Sequence, residues 1–591
     1  MNLSASMPIL NVSSHLAQAT KANPDQPAII WRRGHGYARW SFSELNHEVD
    51  ALAHGLAAAG VSRGTRTILM ARPSAEFFAL TFALYRVGAV PVLVDPGMGR
   101  RRMVQCLAAI HAEAFVGIPL AHVLRITNPV AFRSVRTAVT IGRRLAWGGH
   151  TLDSLRAMGG RAGRGAPFET TDTQPDDPAA IIFTTGSTGP PKAVLFQHRT
   201  FDAQVRMLRE HFGIRPGEID LPTFPLFALF DPALGMTAVI PEMDPTRPAR
   251  VDPTKIIRAI CDNNVTHMFG SPALLNRVGR FGEAMGLKLP SLRRIISAGA
   301  AVPPDVLKRF AALLDDSARI HTPYGATEAL PVASIDHREI LDDTASRTAD
   351  GEGTCVGRPL PDATVRVIRI TDDPIPAWDE SLVLPQGQIG EFVVKGPMVT
   401  RAYLSSGEEH APGATALHTG ATASSNGLNQ SSHSDSSTRA NQLAKIPDGG
   451  DLWHRMGDVG WIDERGRLWF CGRKSHRVET AEGILFTEPV EAIFNQHPAV
   501  FRSALVGIGK RPHQRPVVCF ELEESHRDTD RPKLIRELNE LAARHDSTRT
   551  IHTFLINTRF PVDIRHNSKI FREKLAVWAA ERLRKKPCRR W

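Results

Sequence analysis

A chain of 591 residues is too long for a single compact core and leaves room for at least two domains. Its 42% hydrophobic and 23% charged residues exclude a disordered or fibrous protein and fit an ordinary globular one. The net charge of +11 invites an anionic partner, but the basic tail 582–591 alone supplies six of those charges and holds no acidic residue, and no nucleic-acid-binding motif accompanies it.

Such a tail offers peripheral contact with an anionic membrane or partner surface. No apolar run is long enough to span a bilayer, and Met1 to His15 lacks a basic stretch followed by a sustained apolar one. The six cysteines lie far apart and form no C-x-x-C pair, so neither a zinc site nor a disulfide framework is indicated. The expectation is a cytoplasmic protein.

In chain order, Leu45, Val49, Leu52 and Leu56 recur at helical spacing within Ser41 to Gly60, and Ser41 or Ser43 can cap that helix. Arg66 to Met70 reads as a strand, Ser74 to Val87 as a helix and Ala89 to Val94 as a buried strand. This alternation predicts a mostly parallel α/β sheet. Ala179 to Phe183 is another buried strand, and the pattern recurs at Val265 to Phe269, Leu292 to Ser297 and Arg319 to Thr322.

From about Gly351 the texture changes to strands and turns, including Thr364 to Ile370 and Gly390 to Val394, which predicts a β-rich subdomain. Residues 405–442 are rich in Ser, Thr, Asn, Gly and Ala without period, and read as a disordered insertion in a surface loop. Two strands then flank a hairpin turn at Asp463 to Gly466. Further on, strands at Ser503 to Val506 and Val517 to Leu522 and a helix at Pro532 to Arg544 predict a small α+β domain. The fold class is therefore α/β: a large multi-subdomain N-terminal domain with mixed parallel sheets (1–472), a linker (473–476) and a small α+β C-terminal domain (477–591).

The strand Ala179 to Phe183 runs into Thr184-Thr185-Gly186-Ser187-Thr188-Gly189-Pro190-Pro191-Lys192. Glycines let a backbone approach an anion, hydroxyls and N–H groups donate to it, and a lysine adds charge, so the loop suits a polyphosphate. It is not the Walker spacing. Tyr324-Gly325-Ala326-Thr327-Glu328 combines an aromatic ring, a hydroxyl and a carboxylate, which can stack a base, donate to a phosphate and hold Mg²⁺. Asp458 can accept from ribose hydroxyls, Arg473 adds a guanidinium, and Lys569 lies in the polar stretch Asn567 to Arg572.

These motifs, in this order, resemble the adenylate-forming superfamily of acyl-CoA synthetases, luciferases and peptide-synthetase adenylation domains. The resemblance spans about Leu16 to Trp578, and implies that the small C-terminal domain is mobile about a hinge at 473–476. It implies ATP and Mg²⁺ as cofactors and formation of an acyl-adenylate from a carboxylic acid. It implies that Thr184 to Lys192 hold the β- and γ-phosphates, that Tyr324 stacks on adenine and that Thr327 contacts the α-phosphate. Glu328 is then the Mg²⁺ ligand, Asp458 and Arg473 hold the ribose, and Lys569 bridges the carboxylate and α-phosphate. Fixed positive charge at a phosphorus that gathers charge stabilises the transition state over the ground state.

Several positions depart from the family pattern. Ala193 and Ser568 replace usual glycines, and His476 stands where the family hinge has an aspartate. Glu479 and Gly483-Ile484-Leu485 occupy positions where thioester-forming members carry a lysine and a Gly-x-Arg segment. Loss of two basic residues there argues against a thiol as second substrate. Leu221 to Pro232, Met243 to Pro248, His454 to Asp458, Phe470 to Lys474 and Pro561 to Asn567 resemble the olefin β-lactone synthetases. That resemblance implies a long-chain 2-alkyl-3-hydroxy acid whose own 3-hydroxyl displaces AMP. It also implies neighbours: a thiolase-like enzyme, a reductase and an α/β-hydrolase-like enzyme. Phe224, Phe227 and Phe230 then form an acyl pocket that Gly299 lets the chain pass, and Asp231 or His198 is the base for the hydroxyl. A thiol-dependent long-chain acyl ligase and an inactive nucleotide-binding scaffold are the rival readings.

Overall fold

The computed structural model describes residues 10–184, 191–404, 434–562 and 570–585. Two sheets build the large domain. The first runs Ala402–Tyr403, Lys192–Gln197, Pro178–Thr184, Val90–Leu93, Arg66–Met70, Ala114–Gly117, Thr137–Thr140, His150–Thr151. Every pairing from Pro178–Thr184 outward to His150–Thr151 is parallel, and only the Lys192–Gln197 side is antiparallel. The expected helix after Ser41 is Phe42–Ala58. Its capping box is complete, with the Ser41 hydroxyl accepting from the Glu44 N–H at 3.1 Å and the Glu44 carboxylate accepting from the Ser41 N–H at 2.7 Å. That helix packs tightly on Leu152–Gly163, because a Cβ on Gly55 would strike the Leu155 carbonyl.

The second sheet begins as a parallel stack of Ile219–Pro222, Thr237–Ile240, His267–Phe269, Arg294–Ile296 and the first half of Arg319–Ala326. It then turns antiparallel through Ala329–Asp336, Thr354–Pro359, Leu468–Arg473, Asp451–Ile462, Gly390–Lys395 and Thr364–Ile368. The β-rich subdomain expected after Gly351 thus continues the parallel sheet. The hairpin Arg319–Ala326/Ala329–Asp336 is the junction, and sequence periodicity carries no sign of it.

Residues 405–433 of the expected insertion lie outside the described residues, but its last part is ordered: Ser434–Ala444 is a helix. Ala440 and Ala444 pack beside Val194, Phe196 and Tyr403. The Asn441 side chain accepts from the Tyr403 N–H at 2.8 Å and donates to its carbonyl at 2.9 Å. Tertiary contacts of this kind override a polar, weakly helical sequence.

The small domain has its own core, in which Val490, Phe494, Leu505, Val518, Phe520 and Leu538 pack together. Its sheet pairs Val500–Ile508 with Arg515–Leu522 antiparallel and Arg515–Leu522 with Phe554–Ile556 parallel. Thr487 seats directly on Gly472, where φ is +126° and a Cβ would collide with the Thr487 hydroxyl.

Candidate active site

A cavity of about 750 Å³ lies where the two sheets meet, reached by Leu93 and Thr184 at the carboxyl ends of the first sheet's strands. Ligands of open α/β sheets bind outside these strand ends. One end is aromatic. Phe224, Phe227 and Phe230 all line it, as their spacing predicts, and Gly299, with φ +95°, lies alongside. Phe201 and Phe269 complete the wall and were not foreseen. The Phe227 ring sits 4.5 Å from Phe269, and Phe230 sits 6.2 Å from Phe201. Phe201 comes from helix His198–Phe212 and Phe269 from the end of its strand, so no local pattern joins them to the Phe224 segment.

The other end is charged. Thr184, Lys192, Gly325, Ala326, Thr327, Glu328 and Arg473 line it. Thr327 and Glu328 form the two-residue turn between paired strands, with Tyr324 opposite Ala333 and Ala326 opposite Ala329. The turn is pinned twice. Thr400 donates its N–H and its hydroxyl to the Glu328 carbonyl at 2.8 and 3.1 Å, and the Tyr403 hydroxyl donates to the Glu328 carboxylate at 2.7 Å. Lys192 Nζ lies 4.6 Å above the Tyr403 ring. Burial lowers the Lys192 pKa, while the nearby Glu328 charge opposes that fall.

Lys445 lies 5.8 Å from the same ring and donates to the Thr400 carbonyl. Burial brings it down to about 7, against the pull of Glu328. Tyr403 and Lys445 flank the stretch read as disordered, which hid them from sequence reasoning.

Asp458 and Arg473 face each other as a register pair on neighbouring antiparallel strands. Their side chains lie 3.0 Å apart, and the Tyr324 hydroxyl donates to Asp458 at 2.5 Å. Burial raises the Asp458 pKa, and the Arg473 charge opposes it. The sequence motifs at 324, 458 and 473 therefore converge on one contact, of which Arg473 lines the cavity while Tyr324 and Asp458 stand behind its wall.

Other expected residues fall elsewhere. Thr185, Gly186, Ser187, Thr188, Gly189 and Lys569 lie outside the described residues. Asp231 does not line the cavity, which corrects its expected role as base. It is 4% exposed, and its side chain faces Asp220, which in turn meets His267 Nδ1 at 2.6 Å. Burial first, then the Asp220 charge, pushes the Asp231 pKa well up. His198 is also inward: its Nδ1 accepts from the Val12 N–H at 3.2 Å, and burial lowers it to about 4.

His476 ends the turn Lys474–His476, 3.6 Å from Glu573 of the small domain. Glu479 sits in the hairpin Val478–Thr480/Gly483–Leu485 and accepts from Arg477 at 2.8 Å, with Arg511 at 3.9 Å. Among the described residues, none beyond Ser475 lines the cavity.

The described residues hold no cluster of three or more His, Cys, Asp or Glu able to bind a metal. A divalent ion beside the fixed Glu328 carboxylate would draw its remaining oxygens from phosphate and water, as Mg²⁺ does. The hydroxyls of Thr184 and Thr327 and the Lys192 cation suit the phosphates themselves, and Arg473 suits the sugar, so the residues fit a metal–nucleotide.

An apolar cavity continuous with an end that carries hydroxyls, two cations and a carboxylate has the chemistry of an enzyme that brings an apolar acid to a nucleotide. The model of the AMP-binding enzyme family matches residues 16–404, and the chain belongs to that family. It is 46% identical over 582 residues to an olefin beta-lactone synthetase of Xanthomonas campestris, covering 97% of this chain and 98% of that one. It is also 46% identical to an olefin beta-lactone synthetase of Stenotrophomonas maltophilia, covering 98% and 99%. Among solved structures, the amide bond synthetase of Marinactinospora thermotolerans shares the fold at a TM-score of 0.72. Its identity is 22%, and the match covers 96% of this chain and 99% of that one.

Proposed function

We propose that this protein adenylates a long-chain 2-alkyl-3-hydroxy acid with ATP and closes the acyl-adenylate on its own 3-hydroxyl to a β-lactone. The observation that carries this reading is 46% identity to olefin beta-lactone synthetases across nearly the whole of both chains. An aromatic cavity continuous with the charged nucleotide end supports it.

In the first step a carboxylate oxygen attacks the α-phosphorus and pyrophosphate leaves. Thr184 to Lys192 hold the β- and γ-phosphates, Thr327 meets the α-phosphate, Tyr324 stacks on adenine, and Asp458 and Arg473 hold the ribose. Lys569 bridges carboxylate and α-phosphate. Val562 and Ile570, which bracket the segment carrying it, belong to the small domain and pair with each other. In this reading the hinge 473–476 lets the small domain present Lys569 to the reacting carboxylate. Mg²⁺ at Glu328 would neutralise phosphate charge.

In the second step the 3-hydroxyl oxygen bonds to the acyl carbon, the bond from that carbon to the phosphate oxygen breaks, AMP leaves with its electron pair, and the hydroxyl proton passes to the departing phosphate or to water. Closing a strained four-membered ring needs the hydroxyl held in attacking geometry, which the Phe-lined wall favours by fixing the alkyl chains. An internal nucleophile needs no thiol channel, in keeping with Glu479 at a position where thioester-forming enzymes carry a lysine.

The enzyme works in the cytoplasm beside thiolase-like, reductase and α/β-hydrolase-like enzymes, and its basic tail 582–591 touches anionic surfaces. Among the described residues no helix is long and apolar enough to cross a membrane. Incubation with ATP, Mg²⁺ and a long-chain 2-alkyl-3-hydroxy acid, without CoA, tests the reading. AMP release with a β-lactone product is expected, and strict dependence on a thiol would overturn it.

A further inference from the structure

One face of the large domain combines two features that isolated surface residues do not. Between residues 97 and 149 the chain holds eight arginines against one carboxylate, Glu113. Arg101, Arg102, Arg133, Arg136, Arg143 and Arg144 are exposed. Among the described residues, none of the eight forms an ion pair, although this protein pairs most of its other buried and half-buried arginines.

Large apolar side chains stand among them. On helix Pro119–Ile126, Ala121, His122 and Leu124 point inward, while Leu120, Val123 and Ile126 form an outward stripe at 70%, 42% and 49% exposure. Val130 at 79% and Leu145 at 55% extend it. The pieces form one surface. Arg100 donates to Thr127 at 3.1 Å, Arg125 donates to the Trp147 carbonyl at 3.3 Å, and the Trp147 ring stacks on His122 at 5.3 Å.

We propose that this face docks the protein on an anionic lipid bilayer. Apolar side chains in an outward helical stripe insert at the headgroup boundary, and arginines around them pair with lipid phosphates. A contiguous exposed apolar patch with a charged rim marks an interaction surface. Its position agrees with the occupant. Strands Ala114–Gly117 and Thr137–Thr140 run parallel to Pro178–Thr184 in one sheet. Helix Pro119–Ile126 and the loop 141–149 therefore leave the same sheet edge at which Thr184 meets the cavity. Docking here brings that edge, and the cavity mouth, toward the phase in which a long-chain acid resides. The inference rests on the surface of the large domain and not on the lactone chemistry, so it stands or falls independently of the product assay.

The test is co-sedimentation of the full chain with vesicles of phosphatidylcholine alone or mixed with phosphatidylglycerol. Binding to the mixed vesicles should exceed binding to neutral ones and fall as salt rises. Near an anionic surface each arginine contributes roughly a fivefold change in partitioning, so Arg101→Glu/Arg102→Glu should weaken binding by roughly 25-fold or more. Leu120→Ser/Val130→Ser should weaken it by about tenfold. Arg143→Glu/Arg144→Glu, in an exposed loop, gives an independent third variant. All three should adenylate a soluble short-chain acid at the wild-type rate, which reports intact folding. Arg589→Gln/Arg590→Gln should keep most of the vesicle binding, because the tail adds only a secondary contact. Equal binding to both vesicle types would overturn the proposal. So would loss of binding only in the tail variant, or face variants that keep lipid binding but lose capture of an acidic protein.

Discussion

Removing a single oxygen, in Tyr403→Phe, probes how tightly Glu328 must be held. The Tyr403 hydroxyl donates to the Glu328 carboxylate at 2.7 Å, while its ring lies under Lys192 at 4.6 Å and near Lys445 at 5.8 Å. Phenylalanine keeps the ring, so the packing of Val194, Phe196 and Ala444 around it persists. The carboxylate alone loses a partner. A hydrogen bond to a charged group contributes about 1.5–3 kcal/mol. If that fixation is needed to hold metal and phosphate during adenylation, kcat/KM should fall by roughly 12- to 150-fold. The assay is pyrophosphate release with a long-chain acid at several Mg²⁺ concentrations. Raising Mg²⁺ should recover part of the loss, because a looser ligand binds the ion less tightly. Thermal stability should change little. A rate within threefold of wild type at every Mg²⁺ concentration would refute the argument.

Phe227→Ala opens the aromatic wall where Phe227 meets Phe269 at 4.5 Å. It should raise KM for long-chain acids by at least about tenfold, from the loss of more than 1.4 kcal/mol of apolar burial, and leave short-chain acids nearly unaffected. Steady-state kinetics across a chain-length series reads this directly. Asp231→Asn should leave lactone formation at the wild-type rate, since Asp231 faces Asp220 and not the cavity. It should also change the pH dependence of stability. The folded state raises the Asp231 pKa, so it binds more protons than the unfolded chain above about pH 4, and wild-type stability falls as pH rises through the folded pKa. Denaturation at pH 8 should find Asp231→Asn the more stable, with the gap closing toward pH 4. Lys569→Ala should abolish adenylation, read as pyrophosphate exchange, while ATP binding measured by calorimetry persists.

Much of this molecule was legible in one dimension. Local periodicity places Phe42–Ala58, Ala75–Arg86 and the buried strands within a few residues, and of the two capping candidates, Ser41 and Ser43, it is Ser41 that forms the cap. Phe224, Phe227 and Phe230 were read as an acyl pocket because their spacing puts them on one side of a short segment, and all three line the cavity. Other parts were not legible. Helix Ser434–Ala444 has a polar composition that argues for disorder, and only its contacts with Tyr403 and Phe196 make it a helix. Lys445 follows it and was passed over for the same reason. Asp231 follows Phe230 directly, and neighbours in sequence suggest a shared site. The short helix Phe230–Leu234 instead turns adjacent side chains about 100° apart, sending Phe230 to the cavity and Asp231 to Asp220.

The sequence by itself determined the chemistry available: a loop rich in hydroxyls and glycine, a turn carboxylate, an aspartate, an arginine and an aromatic run, each readable from a local motif. The tertiary structure alone decided which of these meet. One hairpin sets Asp458 opposite Arg473, but Tyr324 lies far from both in the chain and reaches Asp458 only because the antiparallel strands continue the sheet that carries Tyr324. Glu328 is fixed by Tyr403 and Thr400, and the cavity is closed by Phe201 and Phe269, through contacts between distant segments. Local pattern encodes which element forms. Burial, register and the pairing of remote side chains are properties of the packed whole, and they decide what an element's residues can reach.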